Sequence, residues 1–168
     1  MKRFRLVLFT LIIFVMCFSV TKSFAPKDKN FGLGVILGEP TGLTAKLWLH
    51  NNSAFAFCLG NSYLGTLRVG VDYLWHFNAF NSSIVSLYAG PGIAIGIGES
   101  SGWLYVNKDR KWYRADDNIG LGARAVFGVN IVPRNTPLEF FGEIGVLVGF
   151  NPTIYTNVEG AIGFRFYF

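Results

Sequence analysis

Charge, cysteine and histidine are all scarce in this 168-residue chain. Charged residues make up 15% and hydrophobic residues 51%. A disordered chain shows the opposite balance, low hydrophobicity with high net charge, so disorder is excluded. The only cysteines are Cys17 and Cys58, and Cys17 sits in an N-terminal segment that reads as a removable leader. No disulfide framework then remains, and no Cys/His cluster has metal-ligand spacing, so neither a metal nor a cofactor is expected. After Asn30 no apolar run approaches the roughly 18–20 residues of a membrane-spanning helix. The net charge of +5 suggests a nucleic-acid partner, but Lys2, Arg3, Arg5 and Lys22 all precede Pro26 and no acid does. The rest of the chain is almost neutral, and nucleic acid is not expected as a partner.

The first 25 residues have the layout of a secretory signal peptide. Lys2, Arg3 and Arg5 form a basic start, Leu6 to Val20 is apolar apart from Thr10 and Ser19, and small Ser23 and Ala25 follow at cleavage-type positions. Pro26 is an awkward residue to follow a cleavage point, so cleavage after Ser23 is an alternative to cleavage after Ala25. A retained N-terminal anchor is the competing reading. A lipoprotein site at Cys17 is rejected, because Phe14, Val15 and Met16 stand where small residues are needed. The domain division is therefore 1–25 signal peptide and 26–168 a single domain.

What is abundant is period-two alternation, the mark of strands with two unlike faces. Eight segments carry it: about 31–38, 43–50, 55–60, 67–77, 83–98, 119–131, 138–150 and 154–168. Glu39-Pro40-Thr41-Gly42, Asn51-Asn52, Asn81-Ser82, Pro133 to Pro137 and Asn151-Pro152 supply turn chemistry between them. One connection, 99–117, is long. A tilted membrane strand needs about 9–11 residues, which most of these segments meet. The fold expected is all-β: an eight-stranded antiparallel up-and-down transmembrane β-barrel.

Charge placement decides which face is inside. Lys46, Arg68, Asp72, Arg124, Glu139, Glu143, Glu159 and Arg165 all fall on the parity that also holds most of the glycines. The aliphatic and aromatic parity carries no charge. A soluble barrel would expose the small-residue face, yet soluble surfaces are roughly 25–35% charged. A narrow lumen filled by paired charges fits better, with the uncharged face in hydrocarbon, where Arg or Lys at midplane costs about 2–4 kcal/mol. The eight charges are expected to form a luminal ion-pair network. With both termini on one side, Phe31, Phe55, Phe57, Trp75, Phe77, Phe140, Phe164, Phe166 and Phe168 collect at that level as an interfacial girdle. The long 99–117 connection then lies opposite. Short turns belong to the periplasmic side and long loops outside, so periplasmic termini and an extracellular loop are expected.

Phe164-Arg165-Phe166-Tyr167-Phe168 resembles the C-terminal signal read by the bacterial barrel assembly machinery, with Phe168 as its terminal residue. Gly32 to Leu49 is similar to the first hairpin of small outer-membrane proteins, spirochaetal ones among them, and Asp72-Tyr73-Leu74-Trp75-His76 recurs there. The architecture resembles the OmpA transmembrane domain and OmpX over about residues 31–168. The resemblance implies a bacterial outer-membrane location, contact with outer-membrane lipid and assembly through Phe168. It names no ligand.

Three functions compete. Enzymatic chemistry needs a nucleophile with a base in reach. His50 and His76 are the only histidines, neither has a neighbouring serine of the His-x-Ser kind, and luminal hydrogen bonding accounts for them. Glu139 and Glu143 share one face of a strand like a paired-carboxylate site, but Arg68, Arg124 and Arg165 make an ion-pair network the better account. No enzyme is expected, and a lipid-modifying outer-membrane enzyme is the remotest alternative. A narrow porin-like channel is the second candidate, though eight strands leave little open lumen. The third is surface display, structural or adhesive. In the 99–117 loop, Trp103, Tyr105, Lys108, Arg110, Lys111, Trp112, Tyr113 and Arg114 combine the residue types that dominate binding hot spots with basic groups suited to an extracellular protein or glycan. The same loop also reads as a plain hairpin extension, Trp103 to Val106 against Lys111 to Arg114, with aromatics paired across strands.

Overall fold

Eight strands run antiparallel to their chain neighbours and close on themselves, so the sheet has no edge within the wall. The computed structural model describes residues 29–106, 109–134, 136–151 and 154–168, with side chains described outside 100–118. The signal-peptide reading of residues 1–25 and the start of the mature domain lie outside the described residues. The strands are β1 (Phe31–Gly38), β2 (Thr41–His50), β3 (Ser53–Ser62), β4 (Gly65–Phe77), β5 (Val85–Val106), β6 (Asp109–Ile131), β7 (Leu138–Asn151) and β8 (Tyr155–Tyr167). The order around the barrel is the order along the chain, which is the up-and-down arrangement the alternation predicts.

The β1–β8 seam closes the barrel, with Gly32 opposite Tyr167 and Gly38 opposite Ala161. The chain ends are tied at the same rim. Phe168 N donates to Phe31 O at 3.0 Å, and Lys29 Nζ donates to Tyr167 O at 3.1 Å. Gly34 lies in the seam because a Cβ there would overlap the carbonyl oxygen of Phe164. The β1–β2 turn needs a second glycine for another reason. Gly38 has φ 128°, a region that L side chains rarely adopt, and Thr41 Oγ1 closes the turn by bonding both Gly38 N and Gly38 O.

Two features go beyond the alternation. The first is the long connection, where the hairpin-extension reading holds and the loop reading does not: β5 and β6 run on as a hairpin of 22 and 23 residues. Their pairing continues from Ser100 opposite Ala115 to Val106 opposite Asp109, with Trp103 opposite Trp112. The register shifts between Gly98 and Ser100, and Gly98 has φ 92°. A bulge of this kind bends a strand and sharpens its twist. Beyond it the hairpin meets the far wall, pairing Tyr105 with Thr156 of β8.

The second feature is the β3–β4 connection, where bulky Tyr63 and Leu64 stand between paired Ser62 and Gly65. Tyr63 and Leu64 tuck inward and are 7% and 2% exposed. Gly96 and Gly120 make the seat, since a Cβ on either would collide with Leu64. Pro91, on the outward face of β5, coincides with a gap in the β4–β5 ladder at Tyr73 and Leu74, as expected of a residue with no N–H to give.

The seam predicts a sensitive position. Gly34→Val should prevent closure, because the clash is with backbone that cannot rotate away. The readout is the heat-modifiable gel shift of the refolded protein, expected to be lost.

Candidate functional site

Among the described residues the interior is filled by side chains stacked in five layers along the axis. Their order can be read along β8: Tyr155, Glu159, Ala161, Arg165 and Tyr167, from the hairpin side to the terminus side. The first layer is apolar and contains Tyr63, Leu64, Ala94, Leu147 and Tyr155. The third, also apolar, joins Ile36, Leu74, Tyr88, Val126 and Phe141 to Ala56 and Ala161. The fifth holds Trp48, Ala54 and Tyr167. Between these lie two charged layers.

The upper charged layer is built from β4, β6, β7 and β8. Arg68 meets Glu159 through two parallel hydrogen bonds of 2.7 and 3.0 Å. Arg124 reaches Asp72 at 3.3 Å and Glu143 at 3.0 Å, and its Nε stands 3.6 Å from Glu159. Tyr63 OH donates to Glu159 at 2.6 Å and Tyr88 OH to Glu143 at 2.8 Å.

The lower layer centres on Glu139, fully buried. It accepts from Lys46 at 3.0 Å, from Arg165 at 2.8 Å and from Tyr167 OH at 2.5 Å. Arg165 also donates twice to Thr44 Oγ1 and stacks 3.8 Å from the Phe141 ring centre. Lys46 Nζ lies 2.9 Å from His76 Nε2. An ammonium can only donate, so Nε2 accepts and the imidazole is neutral with its proton on Nδ1.

The luminal glycines are the counterpart of these rings. A Cβ on Gly128 would overlap the Tyr88 ring, one on Gly149 the Tyr155 ring, and one on Gly163 the Phe141 ring. Each of these three rings thus lies over a glycine of the neighbouring strand.

All eight charged residues expected in the lumen are placed there, and each has an oppositely charged partner within 3.3 Å. Glu139 and Glu143 do not form a carboxylate pair, since each serves a different charged layer. His76 is buried against Lys46, Trp48 and Tyr88, whereas His50 is exposed at the rim. Ser86 Oγ, on the same side of the lumen as His76, donates to Asn130 Oδ1. The described residues contain no group of three or more His, Cys, Asp or Glu that could hold a metal. Buried Arg68 Nε, Asp72 Oδ1, His76 Nδ1 and Asn130 Nδ2 have no hydrogen-bond partner among the described residues. Tyr63, Tyr88 and Tyr167, which complete the two networks, escaped sequence reasoning. Their luminal parity was the available signal for Tyr88 and Tyr167.

Of the surface residues singled out, the backbone of Trp103, Tyr105, Arg110, Lys111, Trp112, Tyr113 and Arg114 belongs to the β5–β6 hairpin and not to an irregular loop. Their side chains, and Lys108 as a whole, lie outside the described residues.

No family profile and no curated protein matches the chain. The class it belongs to is therefore defined by architecture: a closed eight-stranded antiparallel barrel with a filled, charged lumen, consistent with a small barrel of the outer-membrane type.

Removing one partner from a buried network strands the others. Glu139→Ala should destabilise the barrel by about 3–5 kcal/mol, because Lys46 and Arg165 lose their common acceptor. The exchange Lys46→Glu with Glu139→Lys should recover part of that loss. Urea unfolding followed by tryptophan fluorescence measures both.

Proposed function

We propose that this chain is an integral bacterial outer-membrane barrel whose role is to display the β5–β6 hairpin at the cell surface, as a structural membrane protein or as an adhesin for an extracellular protein or glycan. The supporting observation is that the hairpin outruns its neighbours. β4 pairs with β5 only as far as Ile97, and β7 pairs with β6 only from Leu121. Past those points the hairpin is a two-stranded ribbon; Thr66 Oγ1 donates to Glu99 O and Asn151 Nδ2 to Ile119 O at its base, and Tyr105 pairs with Thr156 near its tip. Nothing in the closure of the barrel requires that extra length.

The outer wall supports the membrane part of this reading. Outside the lumen, the charged residues whose side chains are described are Lys29, Glu39, Glu99 and Arg134, all at the rims. Between them the wall exposes Ile93 at 61%, Ile144 at 63%, Val158 at 67% and Ile162 at 65%. Water-soluble monomers rarely expose contiguous apolar patches beyond a few hundred Å². Phe31, Trp75, Phe140, Phe164, Phe166 and Phe168 are exposed towards the terminus-side rim, the level of an interfacial girdle. In this reading the termini are periplasmic, residues 1–25 direct export, and the assembly machinery reads Phe168.

The filled lumen argues against the channel reading. Two apolar layers cap the charged ones and a third divides them. Protein inserted into planar bilayers should give no stable large conductance. Frequent open events of porin size would mean that the ion pairs part and the layers open.

Replacing residues 103–114 by a short Asn-Gly turn should leave the heat-modifiable shift intact, since the ribbon tip and its pairing with Thr156 are lost while the strand pairings of the wall remain. Cells displaying the trimmed barrel should lose adhesion to arrayed matrix proteins and glycans relative to the full barrel. Alanine at Trp103 and Trp112 should weaken adhesion more than alanine at Lys108 and Lys111, whose exposed charges contribute little. Undiminished adhesion by the trimmed barrel would overturn the display reading.

A further inference from the structure

Gly142 and Gly160 differ from the glycines of the lumen. Both lie on the outward parity of their strands. A Cβ on Gly160 would meet nothing within 4 Å, and one on Gly142 would meet only Ile162 Cγ2, at 3.8 Å. Internal packing therefore does not require glycine at either position. What the missing side chains leave is a groove in the outer wall, about 720 Å³ in volume and almost entirely apolar.

The groove follows one row of paired residues across five strands. Leu87 of β5 stands opposite Val129 of β6, Val129 opposite Gly142 of β7, Gly142 opposite Ile162 of β8, and Ile162 opposite Leu37 of β1. Four strand spacings give a length of about 19 Å. An extended saturated chain of roughly sixteen carbons, with bonds of about 1.5 Å in a zigzag, has the same length. Because the strands of such a barrel are tilted, a row perpendicular to them climbs obliquely through the apolar band. It starts near the terminus-side rim, at Leu87 and at Phe80 of the β4–β5 connection, and ends at Leu37, near the opposite end of β1.

A cation stands where the row begins. Arg134, exposed in the β6–β7 connection, donates from Nε and Nη2 to Ser83 Oγ at 3.2 and 2.7 Å. Ser83 belongs to the same connection as Phe80. Val132 N donates to Ile84 O at 2.8 Å, which holds the two connections side by side. The rim thus presents a positioned guanidinium beside the mouth of an apolar groove as long as an acyl chain. Guanidinium and phosphate match in charge and in donor geometry.

We propose that the groove and Arg134 form a binding site for one anionic glycerophospholipid, with its phosphate on Arg134 and one acyl chain along the Leu87–Leu37 row. The assignment rests on the membrane reading above, because the groove is on the wall that faces lipid. It goes further by naming a specific, retained lipid and the leaflet that holds it, the one at the rim carrying the termini.

The test uses the signal-free barrel in nanodiscs made mostly of dipalmitoyl-phosphatidylcholine with a minor share of dipalmitoyl-phosphatidylglycerol. Native mass spectrometry then weighs what the released barrel keeps. One phosphatidylglycerol per barrel is expected, enriched over its share in the disc by about fivefold, the upper end of what one exposed ion pair supplies. Arg134→Gln should keep a lipid but lose that enrichment. Gly142→Leu with Gly160→Leu should lose the lipid and keep the heat-modifiable shift, since both new side chains have space. Gly160→Leu alone gives the same readout should the double variant fail to fold. A wild-type barrel that retains no lipid, a groove-filled variant that still retains it, or Arg134→Gln with unchanged selectivity would overturn the proposal. A barrel that stays soluble without detergent and never enters nanodiscs would overturn the membrane reading instead.

Discussion

A buried charge must be paired, and an eight-stranded barrel is too narrow to hydrate one freely. The interior is organised around that constraint. Glu139 is held by Arg165 and Tyr167 of neighbouring β8 and by Lys46 of distant β2, and Glu159 by Arg68 of β4 and by Tyr63 of the β3–β4 connection. The Lys46–Glu139 and Arg68–Glu159 bonds cross the lumen instead of following the wall, so they fix which strands face one another. Such pairs contribute little net stability over an apolar filling, because desolvation consumes most of the attraction. Their effect is on geometry: a strand sliding by one residue would turn its own members of these networks outward and strand their partners.

The same constraint sets the distribution of small residues. A bulky side chain fits a narrow lumen only if the residue beside it on the next strand is bare. Gly128 lies beneath Tyr88, Gly149 beneath Tyr155, Gly163 beneath Phe141, and Gly96 with Gly120 beneath Leu64. Inside, glycine is the complement of bulk elsewhere in the same layer. On the outer face, Gly142 and Gly160 have no such partner, and there the missing side chains become a groove.

The barrel was legible in the sequence because alternation and charge parity are local signals that repeat in every strand. Lys46, Arg68, Asp72, Arg124, Glu139, Glu143, Glu159 and Arg165 could be assigned to the lumen one at a time. Which of them meet could not, because Arg68 and Glu159 are 91 residues apart and their contact depends on strand stagger around the ring. The tucked Tyr63-Leu64 turn was illegible for a different reason. Its seat is made by glycines of β5 and β6, and nothing local distinguishes an inward turn from an outward one. The 99–117 segment reads two ways because its polar residues break the apolar alternation while Trp103, Tyr105, Trp112 and Tyr113 keep strand propensity. The hairpin extension is the reading that holds, with Trp103 opposite Trp112.

The two charged layers are unequal. With every group in its usual ionised form, Lys46 and Arg165 face Glu139 alone in the lower layer, while Arg68 and Arg124 face Asp72, Glu143 and Glu159 in the upper one. The lumen is neutral as a whole and polarised along its axis, positive towards the termini and negative towards the hairpin. One elementary charge displaced over about 10 Å is a dipole more than ten times the roughly 3.5 D of a peptide unit. It is sealed between apolar layers, where mobile ions screen it poorly. The barrel therefore has an electrical polarity as well as a topological one, and its two possible orientations differ in energy in any field directed along its axis.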